Sequence, residues 1–453
     1  MTNTVSDQAS AISEKMLERY SNRIYEKTKN TPQKNAIMSK GIFAVAQRNE
    51  SVVAMNPVFS DELKTEKAAN QKQSGRCWIF AALNTFRRKM NARFNLKDFE
   101  LSQSYIMFWD KLEKSNYFLE SILKTLDEPL NGRLLSWLLT APQQDGGQWD
   151  MLVALIRKYG IVPKQIMPET YQSSRSKDLN AVLDEKLREC AFRLRSLHKT
   201  ADPAEDLRSV KEKMIGDIYT ILAYSLGEPP RQFTFEYRDE KNNFHRDSDL
   251  TPQDFFTKYI GIHLEDYVSI INAPTEDKYF GKTYTVQYLG NVIGGQPIRY
   301  LNVEMETLKQ LAVSQLQDQE PVWFGSDVVR YSDRKEGILD TELYDFTSTF
   351  GIPFALNKSE RLDYMESRLT HAMVLTGVNL INGRPNRWKV ENSWGEDSGY
   401  KGYFVMSDRW MDEYTYQVVI NKKYLSKELR AALDQTPIEL KPWDPMGSLA
   451  LMR

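Results

Sequence analysis

Apolar residues recur at three- and four-residue spacing through most of the first half of the chain and alternate with polar ones through much of the second. Met16, Leu17, Tyr20, Ile24 and Tyr25 mark one face of an amphipathic helix over Ser13 to Thr28. From Cys77 to Phe86 the sequence is apolar and contains alanine, and it follows a polar, glycine-containing turn, so a buried helix is predicted to start at Cys77. Further helices are expected over 103–113, 117–126, 133–140 and 148–159. The stretch 174–225 is rich in Leu, Ala, Lys, Arg and Glu and predicts long helices with charged faces.

From residue 232 the pattern changes. β-Branched and aromatic residues alternate over 232–237, 267–271, 284–288 and 298–303, which predicts strands. A short helix is expected over 308–316, followed by strands over 321–325, 372–378, 387–392 and 402–406. A helical first half and a β-rich second half point to an α+β protein of two lobes with a cleft between them.

Composition narrows this. The 453 residues are 41 % hydrophobic and 27 % charged, the balance of an ordinary globular protein. Sixty basic residues against 61 acidic ones give a net charge of −1, so no global field favours nucleic acid or an anionic membrane. A mean hydropathy of −0.54 accompanies the absence of any apolar run long enough to span a bilayer, and the first residues lack the layout of a secretory signal. A cytoplasmic protein is expected. Cys77 and Cys190 are the only cysteines, too few for a disulfide framework or a four-thiolate metal site. No metal or other cofactor is called for.

Cysteine chemistry requires a thiolate, a histidine base, a group that orients the histidine, and donors for an oxyanion. Cys77 at a helix start should have its thiol pKa lowered by the helix N-terminus and a neighbouring imidazolium. Of the four histidines, His198 lies in a Lys/Arg-rich helix, His245 in a polar run and His263 beside Glu265, whereas His371 opens an apolar strand that would hold it rigidly. Asn392, 21 positions later, ends a strand just before a turn at Trp394 and Gly395, where its carbonyl could fix the imidazole tautomer. Cys190 reads as a packing thiol. His245 with Asp247 and Asp249 matches no standard metal-ligand spacing, and Gly290 to Gly295 reads as a hairpin turn.

Gln71, Ser74-Gly75-Arg76-Cys77-Trp78, Asp145-Gly146-Gly147, His371-Ala372 and Asn392-Ser393-Trp394-Gly395 together resemble the papain-type cysteine peptidases. Gln71 to Phe80, Leu101 to Tyr105 and the ending Trp443 to Ala450 resemble more closely the bleomycin hydrolase and aminopeptidase C branch, over nearly the whole chain. The resemblance implies Cys77 as nucleophile, His371 as general base and acid, and Asn392 as the residue orienting it. It makes Gln71 an oxyanion-hole donor with the Cys77 amide, Gly146 and Gly147 the pair along the bound peptide, and Trp394 the shield of the Asn–His contact. The papain-like signature has Ser or Ala before the nucleophile and a second Cys three residues before it. Arg76 and Ser74 stand there in this chain, so the usual disulfide cannot form.

His371 follows Cys77 by 294 positions, against roughly 130–150 in the papain pattern, so about 150 residues are inserted between the halves of the site. The expected organisation is an N-terminal extension (1–60), a helical catalytic lobe (61–173), an insertion with a large helical part (174–300), a β-rich, barrel-like catalytic lobe (301–436) and a C-terminal arm (437–453). In the resembled branch such insertions build a homohexamer with active sites facing an internal channel. The arm, with three prolines, reads as extended. By resemblance it lies in the protein's own cleft, with Ala450 meeting the substrate's free α-amino group. Leu451, Met452 and Arg453 extend past that ending, to be trimmed by Cys77 or to fill the cleft. The expected activity is that of a cysteine aminopeptidase of broad specificity, working through a thioester, with bleomycin-like amides as further substrates. An open-cleft endopeptidase and an idle peptide-binding cage are the alternatives.

Overall fold

The computed structural model describes residues 11–26, 31–96, 99–200 and 206–448. The expected contact of Ala450, and the three residues after it, lie outside them. The chain divides into two compact units. The smaller takes residues 1–53 and 342–355, and contains the amphipathic helix Glu14–Glu26 together with the helices Thr31–Lys40, Ile42–Ala46 and Phe346–Phe350. Within it Arg48 pairs with Glu342 at 2.6 Å, and Phe43 packs edge-on against Tyr344 and Phe346.

The larger unit, 54–341 and 356–453, is a mixed α+β body built on a twelve-stranded sheet. Its central strands run in the order Tyr267–Ile271, Thr415–Asn421, Val322–Ser326, His371–Ile381, Arg384–Glu391, Tyr403–Ser407. Apolar residues on both faces of these strands are needed because both faces are covered. Trp323, Val374 and Tyr416 join the helical layer, while Phe324, Met373 and Trp388 pack with the helices Met305–Gln317 and Asp408–Tyr414. The strands His371–Ile381 and Arg384–Glu391 form a hairpin, Ile381 opposite Arg384, across Asn382 and Gly383 at φ of 53° and 75°. Two positive-φ residues in a two-residue connection match the twist of the flanking strands.

The helical layer contains Cys77–Phe94, Gln103–Lys124, Arg133–Thr140, Trp149–Tyr159, Lys177–Thr200 and Leu207–Leu226. The two helices expected over 103–113 and 117–126 are one continuous helix. The polar residues between them do not break it, because Lys114 turns inward to Asp110 (2.6 Å) and Ser115 donates to the carbonyl of Lys111 (2.8 Å). The polar run around His245 is a strand, Phe244–Leu250, paired with Phe233–Arg238. Gly290 to Gly295 lies within a long connection between the antiparallel strands Thr283–Val286 and Tyr300–Asn302 rather than at a tight hairpin. Among the described residues no helix is long and apolar enough to cross a membrane.

Candidate active site

Cys77 is the first residue of its helix, behind Arg76 at the N-cap, and the helix packs on the strand that begins at His371. Its thiol is buried. The amides of Ala372, Trp78 and Cys77 itself act on the sulfur in the direction that lowers its pKa, as a helix start should. Burial nevertheless dominates and pushes the thiol up to about 12, so the lowered value expected from sequence is not that of the substrate-free site. The same burial brings His371 down to about 4, against which the hydrogen bond to Asn392 works. Each group is thus held neutral when considered alone.

The tautomer of His371 follows from one chain of bonds. The main-chain amide of Ser393 donates to Asn392 Oδ1 at 2.8 Å, which fixes that atom as the amide oxygen. His371 Nε2 lies 2.9 Å from the same oxygen and must therefore carry the proton. Nδ1, buried and without a hydrogen-bond partner, keeps its lone pair for a proton from outside the ring. Trp394 stacks on the imidazole at 4.9 Å and 30°, and the Arg334 guanidinium sits 4.6 Å from the centre of the indole. The indole thus packs against one face of the buried imidazole.

Gln71 is tied to the opposite segment. Its amide donates to the carbonyl of Ser393 at 2.8 Å, its Oε1 accepts from Ser393 Oγ at 2.6 Å, and its Nε2 donates to the carbonyl of Ser74 at 2.6 Å. One Nε2 hydrogen remains, on a side chain fixed at both ends. Gly395, at φ of 79°, lets the chain turn against Asn70, and its amide donates to the carbonyl of Ala69 at 3.0 Å.

Asp145-Gly146-Gly147 forms the third wall. Asp145 is a buried hub: its carboxylate accepts from the Gly75 amide at 2.8 Å, from Asn180 at 2.9 Å and from Ser176, and pairs with Lys111 at 2.8 Å. Its carbonyl accepts from the Trp78 indole at 2.7 Å. Lys114 donates to the carbonyls of Gly146 (2.6 Å) and Gln144 (3.0 Å). A Cβ on Gly147 would collide with the Trp78 ring, so only glycine lets these two approach.

The arm comes back to this place. Ile438–Leu440 joins the sheet beside Thr283–Val286, Asp444 pairs with Lys278 at 2.9 Å, and Arg133 stacks 3.9 Å from the centre of the Trp443 ring. Ser448 donates to the carbonyl of Leu369 at 2.7 Å and accepts from Gln148 at 2.9 Å, between the Gly147 and His371 segments. A cavity of about 360 Å³ beside it is lined by Lys114, Trp137, Tyr288, Arg368, Trp443 and Ser448, among others. A second of about 420 Å³, over Lys64, Arg87, Arg88 and Asn91, includes none of the site residues.

The structure thus gathers Cys77, His371, Asn392, Gln71, Gly146, Gly147 and Trp394, all of them buried, where the first turn of the Cys77–Phe94 helix meets the His371 strand and the 392–395 turn. Lys111, Lys114 and Ser393, which hold those residues in place, were not among the sequence candidates; an Asp110–Lys114 pair one turn apart on the helix was the available signal. Cys190 is a free, buried thiol. His245 bonds to Asp239 at 3.2 Å and stacks on Tyr237, while Asp247 serves Lys258 and Tyr259.

A thiol at a helix start bonded to the backbone of Ala372, next to a strand-start imidazole held by an asparagine, in an α+β body, is the arrangement of a papain-like cysteine peptidase. The chain belongs to the Peptidase C1-like family, whose model matches residues 11–447. It is 56 % identical to an Aminopeptidase C of Listeria monocytogenes, over 96 % of this chain and 98 % of that one. An Aminopeptidase C of Lactobacillus delbrueckii subsp. lactis is 50 % identical over 92 % and 93 %. The crystal structure of PepW from Lactobacillus rhamnosis HN001 superposes with a TM-score of 0.96 at 55 % identity, covering 98 % of this chain and all of that one.

Proposed function

We propose that this chain is a cysteine aminopeptidase acting on peptides of broad sequence. The observation that carries the reading is the fixed tautomer of His371: with Nε2–H committed to Asn392, Nδ1 is the base that takes the Cys77 proton. The thiolate attacks the peptide carbonyl, and its oxygen, now negative, is met by the remaining Gln71 N–H and the Cys77 amide. Imidazolium His371 then protonates the leaving amine, the C–N bond breaks, and a thioester remains on Cys77. Neutral His371 next draws a proton from water, which attacks the thioester and releases the acid. Gly146 and Gly147 lie along the substrate backbone.

Restriction to the amino terminus is supported by the arm, whose described end at Ser448 is hydrogen-bonded beside His371 and Gln148, and by the names of the relatives. Residues past Ser448, Ala450 among them, would meet the substrate's α-amino group. A reducing compartment, the cytoplasm, suits a site that needs Cys77 as a free thiol. A homohexamer, with the 174–226 helices as the candidate contact, is the reading carried by the resemblance. The five-part organisation (1–60, 61–173, 174–300, 301–436 and 437–453), with the nucleophile in 61–173 and His371 and Asn392 in 301–436, remains part of the proposal, although residues 342–355 group with 1–53 in the smaller unit.

The test is time-resolved mass spectrometry of a free peptide incubated with wild type and with Cys77→Ala. Sequential loss of amino-terminal residues by wild type only is expected; no cleavage by wild type, or equal cleavage by both, overturns the reading. Intact masses of the same two proteins address the final tripeptide: a chain shortened only in wild type means self-trimming by Cys77.

A further inference from the structure

Two departures from the papain-like signature, Arg76 and Ser74, are joined in the fold. Both side chains are buried. Arg76 Nη1 and Nη2 donate to the two oxygens of Glu169 at 3.0 and 2.8 Å, its Nε donates to Ser74 Oγ at 2.9 Å, and its guanidinium lies 5.2 Å from the centre of the Phe80 ring, one turn into the nucleophile's helix. A planar fork with all three nitrogens engaged is held in one orientation. Ser74 passes this on: its Oγ donates to the carbonyl of Gln71 at 2.7 Å, and Gln71 Nε2 returns a bond to the carbonyl of Ser74 at 2.6 Å.

Glu169 is anchored from its own side. It accepts from Ser173 Oγ at 2.6 Å and precedes a capping box in which Thr170 and Ser173 exchange bonds. The same segment grips the loop again where the Gln73 amide donates to the carbonyl of Ser174 at 3.0 Å. Burial works to raise the Glu169 carboxyl, but Arg76 and Ser173 bring it below its ordinary range, so it is charged at neutral pH.

We infer that the Arg76–Glu169 pair, relayed through Ser74, is a positioning device that aims the Gln71 side-chain amide and the Cys77 main-chain amide at one oxyanion, without a disulfide. Arg76 and Glu169 touch no substrate. They act by fixing the loop 71–77 between two anchors, the 169–176 segment and the first turn of the helix. A staple of this kind works in a reducing compartment, where a covalent one would open. The inference rests on the peptidase reading above, and its test separates the two.

Alkylation of Cys77 by iodoacetamide passes through no oxyanion, whereas amide hydrolysis does. Glu169→Gln is expected to lower kcat on an aminoacyl amide by about 10- to 100-fold, with KM and the alkylation rate within about threefold of wild type. Ser74→Ala, a smaller change, should give the same pattern at about tenfold, and it decides alone if Glu169→Gln does not fold by circular dichroism. Unchanged kcat in the folded variants, or alkylation falling in parallel with kcat, overturns the inference. A wild type that hydrolyses nothing overturns the peptidase reading instead.

Discussion

Asn392 Oδ1 lies 2.9 Å from Nε2 of His371, and the Ser393 amide pins the same oxygen from the other side at 2.8 Å. One side-chain oxygen therefore sets both the orientation of the ring and the nitrogen that carries its proton. Asn392→Ala should lower kcat by about 10²-fold, because the ring then samples the unproductive tautomer and orientation. KM should change little, since Asn392 contacts the histidine and not the substrate. Steady-state kinetics on an aminoacyl amide check both parts.

Burial depresses the His371 pKa from 6.5 to about 4, with the Asn392 bond opposing and Arg334 adding to the depression. His371 is thus a free base at all pH values above about 4, and alkylation of Cys77 should rise with pH through that value and not through 6.5. The effect on stability has a definite sign. Between pH 6.5 and 4 the unfolded chain takes up a proton that the folded chain refuses, so stability falls as pH falls through that window and is unaffected by this group above it. The whole effect is on the order of 3 kcal/mol. Denaturant titrations of wild type and His371→Gln at several pH values should show the slope shrinking in the variant.

Two glycines make a matched pair of stability tests. A Cβ at Gly147 collides with the buried Trp78 ring, whereas one at Gly216, mid-helix in Leu207–Leu226, meets nothing. Gly147→Ala should cost about 1–3 kcal/mol and reduce activity as the Gly146-Gly147 wall shifts. Gly216→Ala should add about 0.5–1 kcal/mol and leave activity alone. Chemical denaturation midpoints measure both.

The parts of this site that could be read in the sequence are those written into local pattern. Cys77 stands where a polar turn meets an apolar run, His371 opens an apolar strand, and Asn392 follows a strand just before a glycine turn, so each declares its own backbone. The hairpin that joins the last two is also written locally, in Asn382-Gly383 between its two strands. What was not visible depends on distant partners. Arg76 finds Glu169 across 93 positions, and the Cys77 thiol is pushed up because two layers close over it, which no helix-start argument contains. The strand Phe244–Leu250 is not declared by its sequence because it is polar along most of its length, and Gln103–Lys124 is continuous because the polar residues between 113 and 117 bond back along the helix.

The arm gives the most direct measurement of the central claim, that a papain-like site has been confined to amino-terminal cleavage by its own chain end. Ser448 is bonded to Leu369, two residues before His371, and to Gln148, next to Gly147, so removing Ser448 and everything after it should open the site to longer peptides. Paired peptides, one with a free amino terminus and one N-acetylated, would be digested with the full chain and with a chain ending at Gly447. The account predicts that the full chain trims only the free peptide and that the shortened chain also cuts the acetylated one at internal bonds. An acetylated peptide cut by the full chain, or left intact by a shortened chain that still hydrolyses the free one, would contradict it.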